Sequence, residues 1–267
     1  MPQLELQLIV ELLLMGACAG FLAGLLGIGG GMIMVPFMTM ILTTKGFDAD
    51  VVVKMAVATS LATICFTSLS SVRAHHKRGA VLWPVARVLA PGILLGSLVG
   101  AQIAVAMPTR VLSWVFATFV AYSATQMLLD KKPKPSRTLP GNLGMFGMGN
   151  VIGLVSALVG AGGVFISVPF MTWCNVKIHQ AVATSAALGF PIALAGTLGY
   201  IWAGHNLPTM PDGAVGYLYL PGLVVISMAS MTTAPLGART AHRMDIKPLK
   251  RAFAFVLYAL AIYFLMR

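Results

Sequence analysis

The chain is 267 residues long, 58% hydrophobic and 9% charged, with a mean hydropathy of +0.88 and a formal net charge of +11. So little charge cannot clothe a soluble globule of this size, and the absence of sustained apolar–polar alternation excludes a membrane β-barrel. The basic residues sit in short segments between apolar runs, a distribution that orients membrane helices and does not build a nucleic-acid surface.

Taken in chain order, apolar runs at 6–26, 88–107, 111–129, 141–160, 180–203, 214–236 and 249–266 are each long enough to cross a hydrocarbon core about 30 Å thick. They predict an all-α polytopic protein whose solvent is the lipid bilayer. The first run has no basic leader and extends too far for a cleavable signal peptide. It is followed at once by "GIGGGMIMVPFM" (27–38). Continued to residue 42, the segment would be one helix of about 55 Å, too long for a single crossing, so the glycines predict a break. "AVATS" (56–60) falls on the next helix, and His75–His76–Lys77–Arg78 reads as a basic loop that fixes topology. "DKKPKPSRTLPG" (130–141) is a polar, proline-rich linker. Cys18, Cys65 and Cys174 lie apart, with neither disulfide nor metal spacing, and read as reduced packing residues. Trp83, Trp173, Trp202 and Tyr219 lie near segment ends and suit interfacial anchoring.

The second half repeats the first. "GFLAGLLGIGGGMIMVPFM" from Gly20 matches "GLVSALVGAGGVFISVPFM" from Gly153, aligning Gly27 with Gly160, Gly29 with Gly162, Gly30 with Gly163 and Pro36 with Pro169. "AVATS" recurs at 181–185, and "GAQIAVAMP" from Gly100 corresponds more loosely to "GARTAHRMD" from Gly237. This organisation predicts a first transport repeat over 1–130, a cytoplasmic basic linker over 131–140 and a second repeat over 141–267. If each broken segment is a hairpin, fourteen of the eighteen Lys and Arg fall on one side of the membrane; if it crosses once, the split is even. The positive-inside rule therefore favours inverted repeats, each a Gly-broken helical hairpin plus three transmembrane helices. That makes eight helices, or ten with the hairpin limbs counted separately.

Two hairpins entering from opposite faces would set Gly27, Gly29, Gly30 and Gly31 opposite Gly160, Gly162 and Gly163 near the midplane. Non-helical backbone at that depth is tolerated only where it is buried in protein or lines a cavity. Pro36 and Pro169 suit the first turn of a new helix, whose unpaired N–H groups and partial positive charge form an anion site without basic side chains. Thr59, Ser60, Thr184 and Ser185 of the two "AVATS" copies add hydroxyls, one or two turns into their helices. Their alternative role is close helix packing. Gln102 and Arg239 are repeat-related and lie within reach of such a cavity. Glu11 is the one carboxylate clearly inside a span, with an interfacial position as its alternative. The Met-rich stretch "MIMVPFMTM" reads as adaptable packing.

These paired "GxGGG…VP" breaks, each followed by "ATS", together with the basic central linker, resemble the sulfite exporter TauE/SafE (TSUP) family over essentially the whole chain. The resemblance implies a permease of the bacterial plasma membrane that moves small anions such as sulfite, organosulfonates or carboxylates, in about eight helices and two repeats. This chain departs from the pattern at Val164, which stands where Gly31 stands in the first copy, so the two breaks are not chemically equivalent. The partners expected are a small anion and the bilayer, with no nucleic acid, cofactor or metal. An anion channel using the same glycine loops as a filter, and a metal-ion permease, are the competing readings. The latter lacks a His, Asp, Glu or Cys cluster in the spans. An intramembrane hydrolase would need a base and cations at the breaks, where the sequence offers neither, so no enzymatic activity is expected.

Overall fold

The computed structural model describes residues 6–26, 30–129, 136–205, 210–241 and 246–266. Among these, ten helices follow one another: α1 (Leu6–Leu26), α2 (Gly31–Thr44), α3 (Ala49–Lys77), α4 (Trp83–Ala106), α5 (Thr109–Leu129), α6 (Asn142–Val159), α7 (Val164–Trp173), α8 (Ile178–Ala203), α9 (Leu220–Ala241) and α10 (Ile246–Met266). A small antiparallel hairpin, β1 (Ala214–Val215) and β2 (Leu218–Tyr219), precedes α9. Seven of the helices are long and apolar enough to cross a membrane. Leu14, Leu95, Trp114, Val224 and Phe255 face outward, an apolar exterior suited to lipid.

The sequence repeat maps α1–α5 onto α6–α10, and the helices pack accordingly. α1 lies on α9 and α6 on α4, so the first helix of each half packs against the fourth of the other, while α3 pairs with α8 and α5 with α10. Both of the first two seams are built on glycine. Gly16, Gly20 and Gly24 recur every fourth residue on α1 and face Ile226, Ser230 and Ala234; Gly92, Gly96 and Gly100 on α4 face Phe146, Asn150 and Leu154. With no side chain on one partner the backbones approach closely, which gives membrane helices dispersion contacts where lipid provides no hydrophobic drive. A Cβ on Gly20 would lie 2.5 Å from the Ser230 backbone.

The order of these contacts gives the helix directions. α1 runs parallel to α9 and α4 parallel to α6. α3 and α8 run antiparallel, with Leu61 beside Gly196 and Ser68 beside Gly189. α5 and α10 are antiparallel as well: Phe116 meets Phe264 and Thr125 meets Tyr258.

Two ends of the bundle can be told apart. At the first, here the basic end, the Ser136 and Arg137 N–H groups donate to the Trp173 carbonyl and the Arg137 guanidinium lies 4.7 Å over the Trp173 ring. α6 therefore enters from the basic end and α7 returns to it. At the far end, Thr109 Oγ1 donates to the Asp50 carbonyl; α2 leads back to this end, and α1, parallel to α9, starts from it.

Several boundaries differ from the expectation. α3 was missing from the apolar runs because Asp50, Lys54 and a string of Ser and Thr dilute its hydropathy. It is the most protected candidate span, with 83% of its most apolar window buried inside the protein, so it need not be apolar all round. His75–Lys77 form its last turn and Arg78 its C-cap, so that stretch is not a loop. α9 starts at Leu220 because 214–219 is occupied by the β-hairpin. Glu11 accepts from Gln7 Nε2 at 2.8 Å along α1 and does not approach the breaks.

Candidate functional site

The two breaks meet. Gly30 (φ 73°) and Gly163 (φ 76°), equivalent in the repeat, both adopt the left-handed conformation as N-caps of α2 and α7; a residue with a Cβ is disfavoured there. A Cβ on Gly31 would collide with the Gly160 carbonyl, which places the start of α2 directly against the end of α6. Val164, its repeat mate, instead lines a cavity. Gly162 lies beside Ile64 and Gly189, at the middles of the two long helices α3 and α8. Gly27 and Gly29 lie outside the described residues.

The prolines are not in the first turns of the new helices. Pro36 and Pro169 are each the sixth residue of α2 and α7, where a missing N–H leaves the carbonyl four residues earlier, on Met32 and Phe165, without its helical partner. The first turn of α7 nonetheless presents donors. The N–H groups of Gly162, Gly163, Val164 and Phe165 have no acceptor among the described residues, as a helix N-terminus requires.

Three of the four "AVATS" hydroxyls are committed to the backbone of the opposite half. Thr59, nearly three turns into α3, accepts from the Tyr219 N–H at 3.1 Å just before α9. Thr184, in α8, accepts from the Leu82 N–H at 3.0 Å just before α4. The same repeat position thus ties down the entrance of the other half's fourth helix. Ser60 Oγ donates to the Gly160 carbonyl at 3.1 Å, bracing the second break. Ser185 Oγ lies 2.6 Å from Ser167 Oγ, which donates to the Gly163 carbonyl.

A cavity of about 590 Å³ opens toward the basic end. Its mouth carries His75, Arg78 and Arg239; its walls carry Thr67, Ser68, Ser70 and Ser71 of α3; Gly162, Val164 and Ser185 lie at its inner end, and among the described residues no carboxylate lines it. Arg239, one of the residues singled out in the sequence, lies in this lining. Gln102 is not brought there: its Nε2 donates to the Gly199 carbonyl at 3.0 Å, outside the cavity. Arg78 was read from the sequence only as part of a topology-setting loop, and the wall hydroxyls were not singled out, although four hydroxyl residues within five positions of an apolar helix are a visible signal.

The two breaks differ in polarity. Ala23 and Met34 flank Gly30, whereas their repeat mates, Ser156 and Ser167, flank Gly163. Ser156 Oγ is buried and without a partner among the described residues. The second break is thus hydroxyl-lined and cavity-facing, whereas Gly30 and Gly31, the described residues of the first, have apolar side chains and the Gly160 carbonyl against them.

At the far end the β-hairpin is packed down onto the bundle. Tyr217, Leu218 and Tyr219 of the β-hairpin are buried; Tyr219 meets Phe47 edge-on at 5.7 Å, Tyr217 meets Tyr200 at 6.3 Å, and the Tyr200 hydroxyl donates to the Ala157 carbonyl of α6. Burial pushes the Tyr217 and Tyr219 phenols above their ordinary value, so both are neutral at physiological pH. Among the described residues no group of three His, Cys, Asp or Glu side chains is placed to hold a metal ion.

Residues 12–264 match the family described as sulfite exporter TauE/SafE. A probable membrane transporter protein of Haemophilus influenzae is 36% identical over 252 residues, covering 94% of this chain and 95% of that one. The probable membrane transporter protein YunE of Bacillus subtilis is 27% identical over 268 residues, 93% and 94% of the two chains. One from Methanocaldococcus jannaschii is 25% identical over 269 residues, 98% and 97%. No solved structure matches the chain. A multi-pass bundle with paired glycine breaks, matched along nearly its whole length, belongs to the sulfite exporter TauE/SafE family of membrane transporters.

Proposed function

We propose that this protein is a permease for a small anion, such as sulfite, an organosulfonate or a short carboxylate, in the bacterial plasma membrane. It works by alternating access, and its two repeats are inverted. The observation that carries the reading is the cavity: cations at its mouth, hydroxyls along its walls and, among the described residues, unpaired N–H groups of α7 at its inner end and no carboxylate in its lining. Such a gradient attracts an anion from water and then replaces its hydration with fixed donors. Closure by the hairpin beyond the breaks favours a carrier over a continuously open pore.

The inverted arrangement is supported by helix direction. Equivalent helices related by an axis along the membrane normal run parallel; here α3 and α8, and α5 and α10, run antiparallel. The two broken segments return to opposite ends of the bundle, and the breaks sit at the middles of α3 and α8. With the basic end cytoplasmic, including the 131–140 linker, the structure is the inward-open state.

The test is ligand-dependent thermal stability of the purified protein with sulfite, thiosulfate, sulfoacetate and acetate. One of them should raise the melting temperature in a saturable way. Arg78→Gln and Arg239→Gln should each weaken that anion's binding by about threefold to tenfold, the scale of a partly hydrated charge contact. The absence of any stabilisation by all four anions would overturn the reading.

A further inference from the structure

Lys54 is a charge that the inward-open cavity does not use. It lies in the second turn of α3 at the far end, 9% exposed, and its Nζ donates to the Val105 carbonyl at the end of α4 at 2.8 Å. The Tyr217 ring of the covering hairpin lies 6.0 Å from the same Nζ. Asp50, one turn earlier, is the carboxylate that pulls on it. An ammonium carries three donors, and a buried one with a single carbonyl partner among the described residues is an expensive way to end a helix.

The repeat supplies a comparison from within the molecule. "VVVKMAVATS" (51–60) and "VKIHQAVATS" (176–185) share their last five residues, so Lys54 corresponds to His179. His179 is exposed at the open, basic end. The helices differ in the same sense: α3 is wound from Ala49, whereas α8 begins at Ile178, the mate of Val53. One repeat position thus carries a nitrogen base that is sheltered at the closed end and exposed at the open end. When inverted repeats exchange conformations, each half takes the arrangement the other has now.

We propose that Lys54 is the cation that receives the anion at the far end, sheltered in this state by the 214–219 hairpin and exposed when that hairpin lifts. The reading rests on the permease proposal and goes beyond it, because it assigns a residue and a moving cover to the face that is shut.

Two measurements test it. In sealed vesicles of known orientation, Lys54→Cys in a background lacking Cys18, Cys65 and Cys174 should react with a membrane-impermeant thiol reagent from the far face only. Adding Tyr217→Ala should speed the reaction about tenfold or more by loosening the cover. Reaction from the basic face, or a rate indifferent to Tyr217→Ala, would overturn the cover. The second measurement takes whichever of sulfite, thiosulfate, sulfoacetate and acetate stabilises the wild type. Lys54→Gln should leave its binding within about twofold but slow counterflow about tenfold or more, the scale of one lost charge-assisted bond, while Lys54→Arg keeps counterflow within about threefold. If Lys54→Gln exchanges the anion as fast as the wild type, the receiving role is wrong and the permease reading stands. Failure of the wild type to exchange any of the four removes both.

Discussion

At the scale of single residues, the glycines of the breaks have different duties that their shared motif conceals. Gly31 is fixed by contact, since its Cα faces the Gly160 carbonyl with no room for a methyl group. Gly147, exposed on α6, has open space where a Cβ would go. Gly31→Ala should therefore destabilise the protein by about 1–3 kcal/mol through overpacking and reduce transport, whereas Gly147→Ala should stabilise it by about 1 kcal/mol. Thermal unfolding of the two variants in one detergent checks the pair; equal melting temperatures would mean that the breaks do not touch. The substitution of Val164 for the repeat mate of Gly31 was legible in the sequence, but its meaning was not. It depends on a contact between the two halves, with the second break then free to line the cavity. The Thr59 and Thr184 hydroxyls show the same limit. They were legible as paired donors or packing groups. That each accepts from the backbone of the opposite half follows only from the interlocked fold.

At the scale of elements, the seams between α1 and α9 and between α4 and α6 hold the halves together, and both depend on glycine every fourth residue. At Gly96 a Cβ would stand 2.8 Å from the Asn150 Cα. Gly96→Leu must push α4 from α6 or fail to pack, which should cost about 3 kcal/mol or more and abolish the compact bundle, while Leu95→Ala, on the exposed side of the same turn, should cost about 0.5 kcal/mol or less. The yield of monodisperse protein on size exclusion and its melting temperature distinguish the two; a Gly96→Leu variant as stable as Leu95→Ala would contradict the seam. The repeat and the helix breaks were legible because Gly and Pro punctuate the chain at matching places. α3 was not, because a helix shielded by its neighbours is not bound by the hydropathy that lipid imposes. The β-hairpin was absorbed into a predicted span, since its Val, Leu and Tyr are as apolar as the helix that follows.

At the scale of the whole molecule, the interlocking makes a specific demand on topology. α3 must cross from the far end to the basic end, and α8 must cross the other way, because Leu61 lies beside Gly196 and Ser68 beside Gly189. Single cysteines at Lys77 and Ser136, both exposed at the basic end, should then be labelled from the cytoplasm by an impermeant thiol reagent. Cysteines at Thr44 and Asp212, exposed at the far end, should be labelled from outside. Thr44, which ends α2, and Lys77, which ends α3, report the first repeat; Ser136, in the linker, and Asp212, after α8, report the second independently. If Thr44 and Lys77 were labelled from one side, α3 would not cross and the inverted arrangement would fail. If all four were labelled as expected but with the sides exchanged, the repeats would remain inverted and the cavity would open outward, turning an inward-open carrier into an outward-open one. The positive-inside rule argues against that exchange, since an inverted arrangement gathers fourteen of the eighteen Lys and Arg at one end and favours that end as cytoplasmic. Because the antiparallel pairing of α3 with α8 bears on repeat geometry and the sign of the charge asymmetry bears on orientation, agreement of the labelling with both would fix orientation and repeat geometry in one experiment.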